Sequence, residues 1–210
     1  MSNQRLATLQ AGISVQRITF APSCPCPNLS DQIFKDKDLT DKTYVNMTLI
    51  RDQFLTCILK HTNFTKSTLA LCTFSKCTGV GSIWFQVSAS DTTFTDGALT
   101  SSFWNGASGQ RLSFLRVDLT GSFFKDSTLS DVVFDGSTNL TECVFNNAVL
   151  NDVKFNANVD LTAAVFTGVK IRNSEFHGTE TGTLLFHSAT VDLTKFVAAT
   201  FPKLIMTEAR

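Results

Sequence analysis

In residues 119–134, LTGSFFKDSTLSDVVF, an apolar side chain returns at every fifth place: Leu119, Phe124, Leu129 and Phe134. A helix repeats at about 3.6 residues and a strand at two, so a period of five belongs to neither. Followed back toward the N-terminus, the same phase runs through Phe114, Gly109, Trp104 and Leu99 and reaches Leu29. Forward, one extra residue enters after Phe134, and the series resumes at Leu140 and Phe145. A second enters after Phe155, the series resumes at Leu161 and Phe166, and it ends at Phe201. From Phe34 to Phe196 every second centre is aromatic, and most of those between are Leu. A fixed period over most of a chain is the mark of a repeat architecture.

The neighbours of each centre are restricted as well. Two residues before it stands a small or compact side chain, such as Cys57, Thr62, Ser67, Cys72, Cys77, Ser122 or Cys143. Asp or Asn often precedes the centre, and Ser or Thr often follows it, as in Asp118-Leu119-Thr120. The composition agrees: 19 Phe stand against one Tyr and two Trp, which points to one packing slot used again and again.

With these features the sequence resembles the pentapeptide-repeat family, whose consensus is Ala-(Asp/Asn)-Leu-x-x, in a Phe-rich form. VDLTG (Val117–Gly121) and VDLTA (Val159–Ala163) match it closely. The resemblance covers about Leu29 to Phe201 and implies an all-β fold: one right-handed quadrilateral parallel β-helix, four repeats to a square coil. It implies that each centre, and the residue two before it, points into the shaft. Elementary geometry agrees, because five residues make one side and a corner, and coils stack at the strand spacing of about 4.8 Å. The repeat then predicts roughly eight to nine coils, a tower about 40 Å tall. Alternation of Phe and Leu puts aromatic ladders on two opposite sides. Residues 1–28 read as an N-terminal cap or extension, 29–201 as the β-helix, and 202–210 as a C-terminal cap, since open solenoid ends need covering.

At 210 residues the chain is expected to be one domain with a substantial core. Lys+Arg and Asp+Glu both total 18, so no bulk charge favours nucleic acid or an anionic membrane. No apolar run reaches the roughly 18 residues of a spanning helix, and the N-terminus lacks the apolar block of a signal peptide. A cytoplasmic, bacterial protein is the expectation, with secretion lacking a cleavable signal as the other route.

Few residues suggest chemistry. Cys57, Cys72, Cys77 and Cys143 fall in the small inward slot and read as buried thiols; Cys57 and Cys77 lie one coil apart on one side. Cys24 and Cys26, between prolines in APSCPCPNL, read as a rigid entry to the repeat. His177 and His187 fall on opposite sides of the shaft and His61 is many coils away, so no nucleophilic or metal-binding cluster assembles. Asn28, Asn46, Asn63 and Asn139 begin Asn-x-Ser/Thr, and at all but Asn46 the repeat itself writes that pattern. No catalytic residue, metal or cofactor is assigned.

The outward positions say more. On the side centred on Trp84, Trp104 and Phe124, the residue before the centre is Ile83, Phe103, Phe123, Val144, Val165 and Leu185 on successive coils. Such a stripe marks a contact surface for a protein partner or a second copy. The alternative is cover from within, by an N-terminal segment carrying Leu6, Leu9, Ile13, Val15, Ile18 and Phe20. A second side gathers Asp38, Asp41, Asp118, Glu142, Asp160 and Glu180, and from Asp118 to Asp160 seven acids face two bases, a net charge of −5. The reading is a non-catalytic binding or scaffold protein. The resemblance implies an alternative, a DNA mimic that modulates DNA gyrase or topoisomerase IV, without direct contact to nucleic acid. An enzyme with an unrecognised site is a distant third.

Overall fold

The inward five-residue series organises everything that follows from it. A computed structural model describes residues 28–177, 183–197, 203–205 and 207–209, and all statements of structure concern these. From Leu39 to Phe176 every centre is buried; Leu29, Phe34 and Val191, near the ends, are only partly so, and Phe196 is exposed. Among the described residues there is no helix, and all strand pairs are parallel.

The chain turns through four walls in order. The first is a nine-stranded parallel sheet from Asn28–Ser30 up to Thr190–Asp192, and its nine rungs number the coils below. The second is another nine-stranded sheet, from Ile33–Lys35 to Lys195–Val197. The third is a column of single bridges running from Asp38 through Ile58, Thr78, Ala98, Asp118 and Asn139 to Asp160. The fourth runs from Thr43 through Asn63, Ile83, Phe103, Phe123, Val144 and Val165 to Leu185. There strand Thr183–Leu185 pairs with Lys203–Ile205, so pairing enters the segment 202–210 read as a cap.

Each coil pairs with the next at a register of 20 residues, as Phe94 with Phe114, and of 21 where a residue has been added, as Phe134 with Phe155. Both additions fall at the corner between the second and third walls on successive coils, where Gly136, Ser137 and Asn158 take φ of 60°, 65° and 68°. An extra residue at a corner leaves the walls in register, which is why the series resumes unchanged.

Corners have their own rule. The residue two after a centre turns left-handed, as at Asp31 (φ 57°), Asn46 (55°) and Gly121 (66°). Asp, Asn and Gly tolerate that region best, yet Thr56 (52°) and Leu71 (57°) are held there too. The coil above and below over-determines them, since the corner N–H donates across coils, as Leu71 N–H does to Ser90 O at 3.1 Å.

Two aromatic stacks line the shaft. Phe54 and Phe74 lie parallel at 4.6 Å, Phe64 and Trp84 at 4.4 Å, and the stacks meet edge to face, as Phe54 and Phe64 do at 6.0 Å and 86°. Both arrangements suit the aromatic quadrupole. Where the centre is Trp, a nearby aliphatic centre shrinks to Gly79, Ala89 or Gly109. A Cβ on Gly79 would come within 2.8 Å of Leu99 Cδ2, and one on Gly109 within 2.7 Å of Leu112 Cδ1. Neighbouring leucines fill the room at those rungs, as close packing requires.

The slot two before each centre holds buried Val, Ala or Leu at many coils, as at Val87, Leu112 and Val153, and elsewhere a Ser, Thr or Cys that also hydrogen-bonds. Several of these polar side chains donate to the carbonyl of a centre one coil below: Cys57 Sγ to Phe34 O (3.2 Å), Thr62 Oγ1 to Leu39 O (2.8 Å), Cys72 Sγ to Leu49 O (3.4 Å) and Ser122 Oγ to Leu99 O (3.1 Å). Ser82 and Ser102 accept instead from the indole N–H of Trp84 and Trp104, at 2.8 and 2.7 Å. Asp52 breaks the pattern. It is fully buried, its Oδ1 accepts the N–H of Gln32 at 2.8 Å, and its Oδ2 has no partner.

Candidate functional site

Outward residues of a square coil come in two columns per wall, one before and one after each centre. On the fourth wall the first column is the predicted apolar stripe, and the bridge ladder joins all six of its members, Ile83, Phe103, Phe123, Val144, Val165 and Leu185, without a gap. Its middle is the most open: Phe103 is 40% and Phe123 38% exposed, their rings stacked on the surface at 5.5 Å and 7°. The other four are half-buried.

The second column adds a residue that the sequence reading passed over. Phe85, after Trp84, is 40% exposed beside Ile83. The signal was there in SIWFQ (Ser82–Gln86), because the residue after a centre points outward as surely as the one before. From Asn63 to Leu185 the two columns hold one charge, Lys125, whose Nζ lies 3.9 Å from Asp126. Asn105 Oδ1 accepts the N–H of Lys125 at 3.1 Å, whereas Asn146 Oδ1 is buried without a partner. The wall is a flat, nearly uncharged strip whose middle is aromatic.

The acidic residues are arranged differently. Asp38, Asp118 and Asp160 share the third-wall column, but Ile58, Thr78 and Ala98 separate the first from the second. All three cap their own turns, Oδ1 accepting the N–H of Thr40 (2.9 Å), Thr120 (3.0 Å) and Thr162 (2.8 Å). Asp41 and Glu142 sit at left-handed corners between the third and fourth walls, Asp41 lying 3.4 Å from His61 Nδ1. Glu180 lies outside the described residues, as do Cys24 and Cys26. The excess acid between Asp118 and Asp160 therefore forms a collar: Asp126, Asp131 and Asp152 take other corners, and Asp135 is on the second wall.

Elsewhere corner charges pair one coil apart. Arg51 reaches Asp31 at 2.6 Å, Arg111 reaches Asp91 at 2.5 Å and Arg116 reaches Asp96 at 2.6 Å. Hydrogen bonds from those arginines hold the three carboxyls below the usual Asp range, Asp31 at about 2. Burial acts the other way on Asp52 and raises it.

Cys57, Cys72, Cys77 and Cys143 are free and buried, as their slot predicts. Burial pushes Cys143 up to about 12 and raises Cys72; contact with Cys57, then burial, holds Cys77 well above the thiol range. Cys72, Cys77 and Cys143 are thus protonated packing groups that donate to carbonyls, whereas contact with Cys77 lowers Cys57 below the ordinary thiol range. His177 is on the second wall, 3.0 Å from Glu175 Oε2, and His187 on the fourth, its Nδ1 2.8 Å from Thr207 Oγ1. Among the described residues no group of three or more His, Cys, Asp or Glu is placed to hold a metal ion.

No protein-family model matches the sequence, and no curated protein does. Solved structures do match. Full-length QnrB1, a plasmid-mediated fluoroquinolone resistance protein, aligns with a TM-score of 0.63 at 9% identity, covering 88% of this chain and 93% of that one. HetL, a pentapeptide repeat protein involved in heterocyst differentiation regulation from the cyanobacterium Nostoc sp. strain PCC 7120, aligns at 12% identity and a TM-score of 0.45, over 87% and 86% of the two chains. At such identities the likeness is one of fold: this is a pentapeptide-repeat β-helix.

Proposed function

We propose that the protein is a non-catalytic binding module whose fourth wall takes an apolar segment of a protein partner. The observation that carries the reading is the unbroken Ile83–Leu185 column, centred on stacked Phe103 and Phe123 and almost free of charge. Solvent-facing aromatic pairs gain nothing for the shaft, whose centres are already filled, and exposed apolar patches favour contact. A column one residue wide suits an extended segment better than a broad folded surface. The test is affinity capture with the full chain from cells of its own organism. A partner retained by the native chain should be lost by Phe103→Asp with Phe123→Asp, and kept by Thr93→Asp with Ser113→Asp on the second wall. Equal capture by both pairs would rule the fourth wall out.

A second reading rests on the acid collar of the fifth to seventh coils, net −5, which could stand in for duplex phosphates at a topoisomerase surface. It predicts that added protein alters supercoiling by DNA gyrase or topoisomerase IV, with or without a quinolone. Reversal of the collar by Asp126→Lys and Asp131→Lys should abolish the effect. An indifferent supercoiling assay removes this reading.

A further inference from the structure

We propose that Cys57 and Cys77 form a two-coordinate site for a soft, thiophilic metal ion of the Cu(I) kind, held between the second and third coils at the corner of the second and third walls. The site stands apart from the fourth wall and does not depend on what that wall binds.

The placement of the two sulfurs is the first argument. Both cysteines fill the inward slot of one corner on successive coils, and the backbone joins them there, Thr78 N–H donating to Cys57 O at 3.0 Å. Each thiol meets the same pair of acceptors. Cys57 Sγ lies 3.2 Å from Phe34 O and 3.6 Å from Leu55 O; Cys77 Sγ lies 3.3 Å from Phe54 O and 3.6 Å from Ser75 O. Side chains placed alike on successive coils are offset by one coil step, about 4.8 Å. A disulfide needs its sulfurs about 2.05 Å apart, so that bond would demand a large shift within the shaft. Two metal–thiolate bonds of about 2.3 Å laid end to end span about 4.6 Å. The coil step therefore matches a linear sulfur–metal–sulfur unit without moving the backbone.

The donor set selects the ion. Thiolates favour soft metals, Cu(I) among them. A structural Zn²⁺ takes four ligands, and among the described residues no group of three or more His, Cys, Asp or Glu is placed to hold an ion. Cys57 and Cys77 are 1% and 2% exposed, so solvent does not complete the shell of a harder cation there. A monovalent ion satisfied by two thiolates is what remains.

Charge and access agree. Binding sends both thiol protons to solvent, so one monovalent cation and two thiolates leave a single negative charge. Half-buried Lys37 stands in the same slot one coil below and supplies a counter-charge to that column. One coil above, Gly97 adds no side chain, and a Cβ there would come within 2.9 Å of Cys77 O. Only the first coil of the described chain lies beneath Cys57, and an end coil opens more readily than a middle one, which gives the ion its way in.

The experiment titrates Cu(I), supplied as its bicinchoninate complex without air, into the full chain carrying Cys24→Ser and Cys26→Ser. Those two substitutions remove the cysteines that lie outside the described residues. This parent should take one Cu(I) per chain from bicinchoninate, and X-ray absorption at the copper edge should show two sulfur neighbours. Cys57→Ser and Cys77→Ser should each weaken retention at least about a hundredfold, while Cys72→Ser and Cys143→Ser leave it unchanged. Serine already fills this slot at Ser67 and Ser122, and circular dichroism checks that each variant keeps the β-helix. The copper-edge measurement needs no change at the site, so it decides the matter even where a variant fails to fold. No uptake by the parent, a shell other than two sulfurs, or equal retention after Cys57→Ser and Cys77→Ser overturns the proposal.

Discussion

The first and fourth walls share a backbone plan, a five-residue side and a coil-to-coil register, and they differ in what they show to water. Before its centres the first wall carries Thr48, Thr68, Ser88, Ser108 and Thr128; the fourth carries Asn63, Ile83, Phe103, Phe123 and Val144. Inside, the centres of both are buried from the second coil to the eighth. The shaft thus dictates only the inward positions, and a wall's outward column is free to vary. Hydroxyl-bearing residues, β-branched at Thr48, Thr68 and Thr128, suit an exposed strand; a row of Ile, Phe and Val suits a covered one.

The comparison can be broken most sharply within the fourth wall. Phe124→Ala empties a fully buried ring position and should cost roughly 3–5 kcal/mol in urea unfolding, whereas adjacent Phe123→Ala should cost less than about 1 kcal/mol. Equal losses would mean the inward and outward assignments are wrong. On the first wall, Gly109→Ala forces a methyl against Leu112 and Leu129 and should cost roughly 1–3 kcal/mol by overpacking.

Asp52 sharpens the slot rule. Asp52→Thr restores a donor toward Leu29 O, 23 residues back as in the Thr62–Leu39 pair, and should gain roughly 1 kcal/mol at neutral pH. The pH dependence follows from burial, with Asp31, Arg51, Tyr44 and Cys72 as the neighbouring titratable groups. A carboxyl raised by folding keeps its proton where the unfolded chain has lost it. Its contribution is full below the ordinary value of 3.8, falls as pH climbs to the raised value, and is level above it. Asp31, Asp91 and Asp96, held low by arginine, act below 3.8 and in the opposite sense. The decline in stability above 3.8 should vanish in Asp52→Thr; its persistence would assign the window to another group. The smallest effect on stability is expected from moving the stripe: Ser88→Ile, Ser108→Phe and Thr128→Phe on the first wall should shift stability by about 0.5 kcal/mol or less each. The same change should create a second dye-binding face.

The fold was legible because a period of five over most of the chain leaves one architecture, and both added residues could be placed from the phase shift alone. Corners were not legible, because left-handed φ falls on Asp and Asn but also on Thr56, Leu71 and Ala163, where stacked neighbours override local preference. The slot was legible as small or compact; that its polar members, such as Cys57, Thr62 and Ser122, donate was not, because it needs the carbonyl one coil below. Ile83, Phe103 and Phe123 stand out in the sequence because they depart from the polar rule for outward residues; exposed Phe85 was passed over because only one outward column was followed. The acid excess was legible as a sum. Its spread around the tower was not, since residues close in sequence occupy different walls.

Trp84 and Trp104 are the only tryptophans of the chain, and they lie face to face at 4.6 Å and 2° in the third and fourth coils. Indole emission from this protein therefore originates in one buried spot. In a solenoid each coil is stabilised mainly by its neighbours, and the terminal coils can open before the centre does. A melt followed by tryptophan fluorescence should stay flat while backbone circular dichroism already falls. The gap between the two curves measures how far the tower has unravelled from its ends.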